Sequence, residues 1–163
     1  MTHPSKEEVR ILFRYDQDAG ELFWNVHRRG VVFGTKVGSP DSLGYLRVGI
    51  NLALYRVHQI IWLLEIGEWP KQIDHINGIK SDNRIVNLRI ASNKQNAGNV
   101  GKRIHNTSGY KGVVWDKAKS KWIANITIDT KVRFLGRFED IEDAAEAYRA
   151  AAKIHFGEFA RFK

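Results

Sequence analysis

Apolar residues Val9, Leu12 and Phe13 recur at helical spacing behind Ser5-Lys6-Glu7-Glu8. In that order a Ser hydroxyl and a Glu carboxylate each accept the other's backbone amide, a capping box. The pattern predicts a helix over 5–15. Asp18-Ala19-Gly20 reads as a turn, and Glu21-Leu22-Phe23-Trp24 as a strand. Residues 30–38 read as irregular or weakly stranded. Positions 45–50 alternate between apolar and polar and predict a strand, with 52–57 as its hairpin partner. Ile60, Ile61, Leu63 and Leu64 suit a buried helix over 57–66, which Gly67 and Pro70 end.

The texture changes at 72–99. Asn, Asp, Gly and Ser surround two short apolar pieces, 73–76 and 85–90, so this stretch predicts strand, loop, strand, then a short helix starting near Ser92. Residues 99–108 have linker composition and mark the expected boundary between a domain at 1–98 and a second at 109–163. Beyond it, 110–115, 121–128 and 131–138 predict three strands with turns at 117–120 and 129–130. Asp140 opens a helix that carries Ile141, Ala144, Ala145, Tyr148, Ala151 and Ala152 on one stripe, and Gly157 closes it. An alanine stripe lets a helix lie close to a sheet. The expected class is α+β.

Charge sharpens this division. The chain has a net charge of +8 and no cysteine, so neither disulfides nor thiolate zinc sites are available. Residues 97–138 hold nine Lys/Arg against two Asp/Glu, whereas 139–163 hold four against six. Such segregation points to a polyanion, most simply a phosphate backbone, facing the strands. The apolar runs are too short to span a bilayer, and the N-terminal residues have no signal-peptide apolar stretch. The expectation is a cytoplasmic protein (the host's cytoplasm, if phage-encoded) with no membrane and no disulfide partner.

One cluster carries chemistry. Asp74-His75 ends an apolar strand piece just before the turn dipeptide Asn77-Gly78. Asn87 precedes the next strand, and Asn96 lies on the helix after Ser92. Phosphodiester hydrolysis asks for oxygen ligands to a hard cation such as Mg²⁺ and for a base that takes a proton from water near neutral pH. An EF-hand does not fit, because Ile76 and Gly78 stand where calcium ligands are needed. His58 opens an apolar helix and reads as a packed or capping residue.

The residues Ile73-Asp74-His75-Ile76-Asn77-Gly78, with Asp82-Asn83-Arg84, Asn87-Leu88-Arg89 and Asn96, closely resemble the HNH (His-Me finger) endonucleases of phages and introns, some of them homing endonucleases. The lead-in Tyr55-Arg56-Val57-His58-Gln59-Ile60 and Gly67-Glu68-Trp69-Pro70 resembles them too. The resemblance implies a ββα-metal fold, two strands and a helix around one divalent ion. It implies His75 as general base, Asp74 and Asn96 as ligands of one Mg²⁺ (or Mn²⁺), and Asn87 as the residue that holds the loop and orients the imidazole. Many relatives have His where Asn96 stands; a neutral amide oxygen favours Mg²⁺ or Mn²⁺ over Zn²⁺ or Ni²⁺. Lys80, Arg84 and Arg89 are candidate phosphate clamps beside the metal.

A second resemblance follows the linker. Tyr110-Lys111-Gly112-Val113, Lys121-Trp122-Ile123-Ala124-Asn125-Ile126, Phe134-Leu135-Gly136-Arg137-Phe138 and Asp143-Ala144-Ala145-Glu146-Ala147-Tyr148 resemble the Apetala-type (ethylene-response-factor) DNA-binding domain. That implies a three-stranded antiparallel sheet packed on one helix, with the sheet laid in the major groove. Alternation turns Trp122, Ala124, Ile126 and Ile128 toward the helix, and Ile123, Asn125 and Thr127 outward. Asn125 and Thr127 are then candidate base readers, and Lys111, Lys117, Lys119, Lys121 and Arg133 candidate phosphate contacts. Val114, Asp116 and Thr127 stand near positions where the plant domains carry arginines.

Together these readings predict a metal-dependent nicking endonuclease for double-stranded DNA, monomeric or weakly dimeric. The alternative is a DNA-binding regulator that keeps the HNH scaffold without catalysis. RNA binding is the third and weakest reading, since stacking aromatics are not obvious on the basic sheet.

Overall fold

The computed structural model describes residues 3–102 and 105–162. Arg103 and Ile104, within the expected linker, lie outside the described residues. By internal packing the chain divides into two compact units, Met1–Ile90 and Ala91–Lys163.

In the first unit, helix α1 (Lys6–Leu12) starts at Ser5. The Ser5 hydroxyl accepts from the Glu8 amide at 3.1 Å, and the Glu8 carboxylate accepts from the Ser5 amide at 2.8 Å. The helix ends sooner than its apolar spacing predicts. Strand β1 (Phe13–Asp16) follows at once and pairs antiparallel with β2 (Glu21–Trp24), Phe13 opposite Trp24 and Tyr15 opposite Leu22. Phe13 satisfies a helical stripe and a strand face equally well. The turn closed by Gly20, at φ +69, makes the hairpin available and decides for the strand. A short pairing of Ser39–Pro40 (β3) with β4 (Leu46–Ile50) continues into β5 (Ala53–Arg56). Helix α2 (Val57–Ile66) follows as expected and ends on Gly67, whose amide bonds the Leu63 carbonyl at 3.0 Å. Val9, Leu22, Ile60 and Ile61 are completely buried at the centre of this core. The unit closes with β6 (Ile73–His75), a single 3₁₀ turn (Ile85–Asn87) and β7 (Leu88–Ile90), antiparallel to β6.

The second unit begins with α3 (Asn93–Asn99), which has its own capping box between Ser92 and Gln95. Strands β8 (Val113–Asp116), β9 (Lys121–Ile128) and β10 (Lys131–Phe138) form an antiparallel sheet with β9 in the middle. Helix α4 (Ile141–Phe156) covers one face and buries Ala144, Ala145, Tyr148 and Ala152. The compact units therefore meet at 90/91, whereas composition had suggested 99–108. Helix α3 lies so close to α4 that a Cβ on Gly98 would fall 2.7 Å from the Phe156 ring, and Ala91 shares a core with Phe156. Composition marks where a chain is polar, not which neighbour a short helix packs on.

Candidate active site

The site is built on the β6–β7 hairpin. Asp74 stands directly opposite Arg89 in the register, and both Arg89 Nε and Nη2 donate to Asp74 Oδ2, at 2.9 and 2.8 Å. Cross-strand placement brings opposite charges together in this way. His75, the last residue of β6, is 3% exposed. The chain turns immediately after it through Asn77-Gly78, with Gly78 at φ +71 and its amide bonded to the His75 carbonyl at 2.8 Å.

The loop from Asn77 to Asn87 is tied by side-chain amides. Asn87 Oδ1 accepts from the Asn77 amide at 3.0 Å, and Asn87 Nδ2 donates to the Asp82 carbonyl at 2.8 Å. Asn77 Nδ2 donates to Asp82 Oδ2 at 2.7 Å. These bonds fit the loop-holding part of the role expected of Asn87. The imidazole contact belongs to a residue of the motif for which no role was expected. Asn83, 1% exposed, sets its Oδ1 3.1 Å from His75 Nε2. Its place inside Asp82-Asn83-Arg84 was the available signal.

Burial pushes the His75 imidazole below its ordinary value. The Asn83 hydrogen bond and the charges of Asp74 and Asp82 act in the opposite sense. The ring is therefore neutral near pH 7 and has a lone pair to offer. Beside it lies His58, with ring centroids 5.0 Å apart and planes at 79°. Tyr45 touches both, its centroid 5.4 Å from His58 and 5.8 Å from His75. His58 is packed, as its helix start suggested, but it is packed against the candidate base. Desolvation, helped by His75 and Arg56, holds the His58 pKa at about 3, against an ordinary 6.5.

That shift has a consequence for stability. The folded state keeps His58 neutral, while the unfolded chain takes up a proton once the pH falls below about 6.5. The contribution is fully present above the unfolded value and is lost as the pH falls toward about 3. Urea midpoints measured across this window should drop with acidification. His58→Gln should flatten the slope without abolishing it, because His75 is shifted the same way. A variant with the wild-type slope would count against this account.

The candidate phosphate clamps divide. Arg84 is held by Asp82, with Nε to Oδ1 at 2.8 Å and Nη2 to Oδ2 at 2.6 Å. The pairing, with the Asn77 hydrogen bond, brings the Asp82 carboxyl down to about 2. Arg89 is engaged with Asp74. Lys80 donates to the Leu43 carbonyl at 2.9 Å and lies 4.9 Å from the Tyr45 ring centroid. Arg56, absent from the sequence-based set, stacks 4.2 Å from the same centroid. Tyr45 thus carries two cations close to the His75 ring.

Among the described residues, no group of three or more His, Cys, Asp or Glu is placed to share a metal ion. Two buried side-chain atoms there have no hydrogen-bond partner, Asn83 Nδ2 and Asn96 Oδ1. An amide oxygen shielded from water without a donor is costly, and a cation would satisfy it. Asn96 belongs to α3 in the second unit.

In that unit, Asn125 is half-buried and Thr127 exposed on the sheet face away from Ala124, Ile126 and Ile128, as alternation predicts. Lys117 and Lys119 are exposed, and Lys121 pairs with Glu139 at 2.8 Å. Lys111 instead turns inward. Its Nζ donates to the Gly98 carbonyl at 2.8 Å, and burial, with Arg161 nearby, lowers its pKa to about 8. Arg133 is exposed but stands opposite Ile126, hence on the α4 side of the sheet. The outer face also bears Phe134, 58% exposed, with the Arg137 guanidinium 5.3 Å from its ring centroid.

Comparison with known proteins adds to this geometry. The HNH endonuclease family matches residues 55–98, which contain β6, β7, all of α3 but its last residue, and the whole Asp74–Asn96 set. Over 110 residues the chain is 36% identical to Protein 3.8 of Escherichia phage T7, an alignment that covers 66% of this chain and 90% of the phage protein. No solved structure matches significantly. The chain belongs to the family of the T7 phage Protein 3.8, and its residues 55–98 are an HNH endonuclease domain.

Proposed function

We propose that the protein is a divalent-metal-dependent endonuclease that nicks double-stranded DNA at preferred sites. The supporting observation is His75, a buried neutral imidazole next to the Asp74 carboxylate inside the matched HNH segment. His75 takes the proton from the attacking water. Asp74 would hold a Mg²⁺ or Mn²⁺ through its carboxylate; Asn96 is the second ligand that the HNH resemblance implies, and its Oδ1, without a hydrogen-bond partner, suits an oxygen-seeking cation. When bound, that cation supplies positive charge against the negative charge that grows on the phosphate and the leaving oxygen. Asn87 keeps the loop closed around Asp82. Arg56 and Lys80, stacked on Tyr45, suit the flanking phosphates.

The 109–163 segment, with α3 packed on it, supplies duplex binding as an Apetala-type module. Lys117, Lys119 and Lys121 meet the backbone, and Asn125 and Thr127 meet base edges. A sheet with an exposed basic and amide-bearing face, backed by an acidic helix, supports this arrangement.

Supercoiled plasmid incubated with the protein and Mg²⁺ or Mn²⁺ should convert to nicked circles, and EDTA should stop the conversion. Nicking undiminished by EDTA would overturn the metal requirement. A second reading, a DNA-binding regulator without catalysis, draws on the Arg89 contacts that occupy Asp74 Oδ2. It expects metal-independent binding and no nicked product.

A further inference from the structure

Asn83 and the candidate base are joined by a hydrogen bond buried on both sides. Asn83 Oδ1 lies 3.1 Å from His75 Nε2, and the two residues are 1% and 3% exposed. With the Asn83 amide oxygen toward the ring, the contact calls for a donor, which places the proton of a neutral imidazole on Nε2. A neutral imidazole has one N–H, and the lone pair then falls to Nδ1.

Asn83 is itself held from behind. Tyr15, on the N-terminal hairpin, donates its hydroxyl to the Asn83 backbone carbonyl at 3.1 Å and accepts the Ile85 backbone amide at 2.9 Å. Gly20, in the turn of the same hairpin, lets the chain pass so close that a Cβ there would stand 2.5 Å from Arg84 N and 3.0 Å from the Asn83 carbonyl carbon. Neither Tyr15 nor Gly20 lies in the segment that matches the HNH family, 55–98.

We propose that Asn83 is a positioning residue for the nuclease reaction: it fixes the His75 tautomer so that Nδ1 faces the chemistry as the base, and the β1–β2 hairpin clamps Asn83 in that role. The proton taken from water therefore arrives at Nδ1 while Nε2–H stays on Asn83. This inference rests on the endonuclease reading for its effect on rate, but the tautomer itself can be observed without any activity.

The test joins long-range ¹⁵N–¹H correlation of the imidazoles, with His75 assigned through His75→Gln, to plasmid nicking. In the wild-type protein at mildly alkaline pH, His75 should show a protonated-type Nε2 and an unprotonated-type Nδ1. Asn83→Leu, close in shape but without an acceptor, should mix the tautomers and slow nicking about 10–100-fold, the usual effect of removing a partner that orients a site imidazole. DNA affinity should stay within about twofold, since no phosphate contact is removed. Tyr15→Phe keeps the ring and breaks only its two hydrogen bonds; it should move both readouts the same way, by a smaller factor. Should Asn83→Leu fail to fold, the wild-type spectrum and Tyr15→Phe still decide. A wild-type His75 protonated on Nδ1 overturns the proposal. So does Asn83→Leu nicking at the wild-type rate. An Nε2–H spectrum in a protein that never nicks removes the nuclease reading and leaves the tautomer assignment standing.

Discussion

With Mg²⁺ present, His75→Ala is expected to leave supercoiled plasmid closed over times in which the wild-type protein nicks all of it. A positioned general base contributes about 10²–10⁴ in rate, equivalent to about 3–5 kcal/mol of barrier at 1.36 kcal/mol per decade. His75 is the residue to which the site is built. It ends β6, its ring is buried against His58 and Tyr45, and Asn83 holds one of its nitrogens. The substitution leaves the Asp74–Arg89 pair and the Asn77–Asn87–Asp82 loop bonds in place, so the hairpin should keep its shape. Binding to DNA, read by mobility shift, should persist. Nicking by the variant at the wild-type rate would assign the activity to another site or to a contaminant, and would end the proposed role of His75.

The largest expected loss of stability lies in the second unit, at Gly112. Its φ is +75, a conformation that costs an ordinary L residue about 1–2 kcal/mol. The space is also taken: a Cβ there would stand 2.2 Å from Tyr148 Cδ2 and 2.5 Å from the Asn125 carbonyl oxygen. Neither neighbour yields easily. The Tyr148 ring is 5% exposed in the core of α4, and the Asn125 amide is bonded to the Gly112 carbonyl at 2.8 Å, next to the central strand pairing. Gly112→Ala should therefore destabilise this unit by about 3–5 kcal/mol, the backbone penalty added to that of an overfilled core. Urea unfolding followed by tryptophan fluorescence reads the loss, since Trp115 and Trp122 pack edge to face within the sheet, their ring centroids 4.9 Å apart. A loss under about 1 kcal/mol would mean that the helix can move off the sheet at little cost, contrary to the alanine contacts that hold it there.

Much of the local structure was legible in the sequence because its causes are local. The capping box expected of Ser5 and Glu8, residues three apart, forms, and the short helix expected near Ser92 starts there. The bounds of α2, β9 and β10 fall where the pattern puts them, since a helix stripe and a strand alternation each repeat within one element. The helix expected over 5–15 broke after Leu12 because Phe13 and Tyr15 found partners in 21–24, and a pairing across a turn does not register in helical periodicity. Arg84 and Arg89, read as phosphate clamps, turned to Asp82 and Asp74, and Lys111 turned inward. The charge of each was plain from its identity, but its partner was not.

From the order of residues alone came the α+β class, the acidic helix behind a basic sheet, and the neighbourhood of Asp74, His75, Asn87 and Asn96 as the candidate place of chemistry. Those follow from residue type and short spacing, which the chain carries in itself. Only the folded molecule set Asn83 on the His75 ring, brought Tyr15 to the far side of Asn83 across 68 positions of sequence, and buried His58 next to the candidate base. Contacts of that kind form when distant segments are desolvated against each other. Their energy belongs to the pair and the space between them, and no local pattern of polar and apolar residues specifies it.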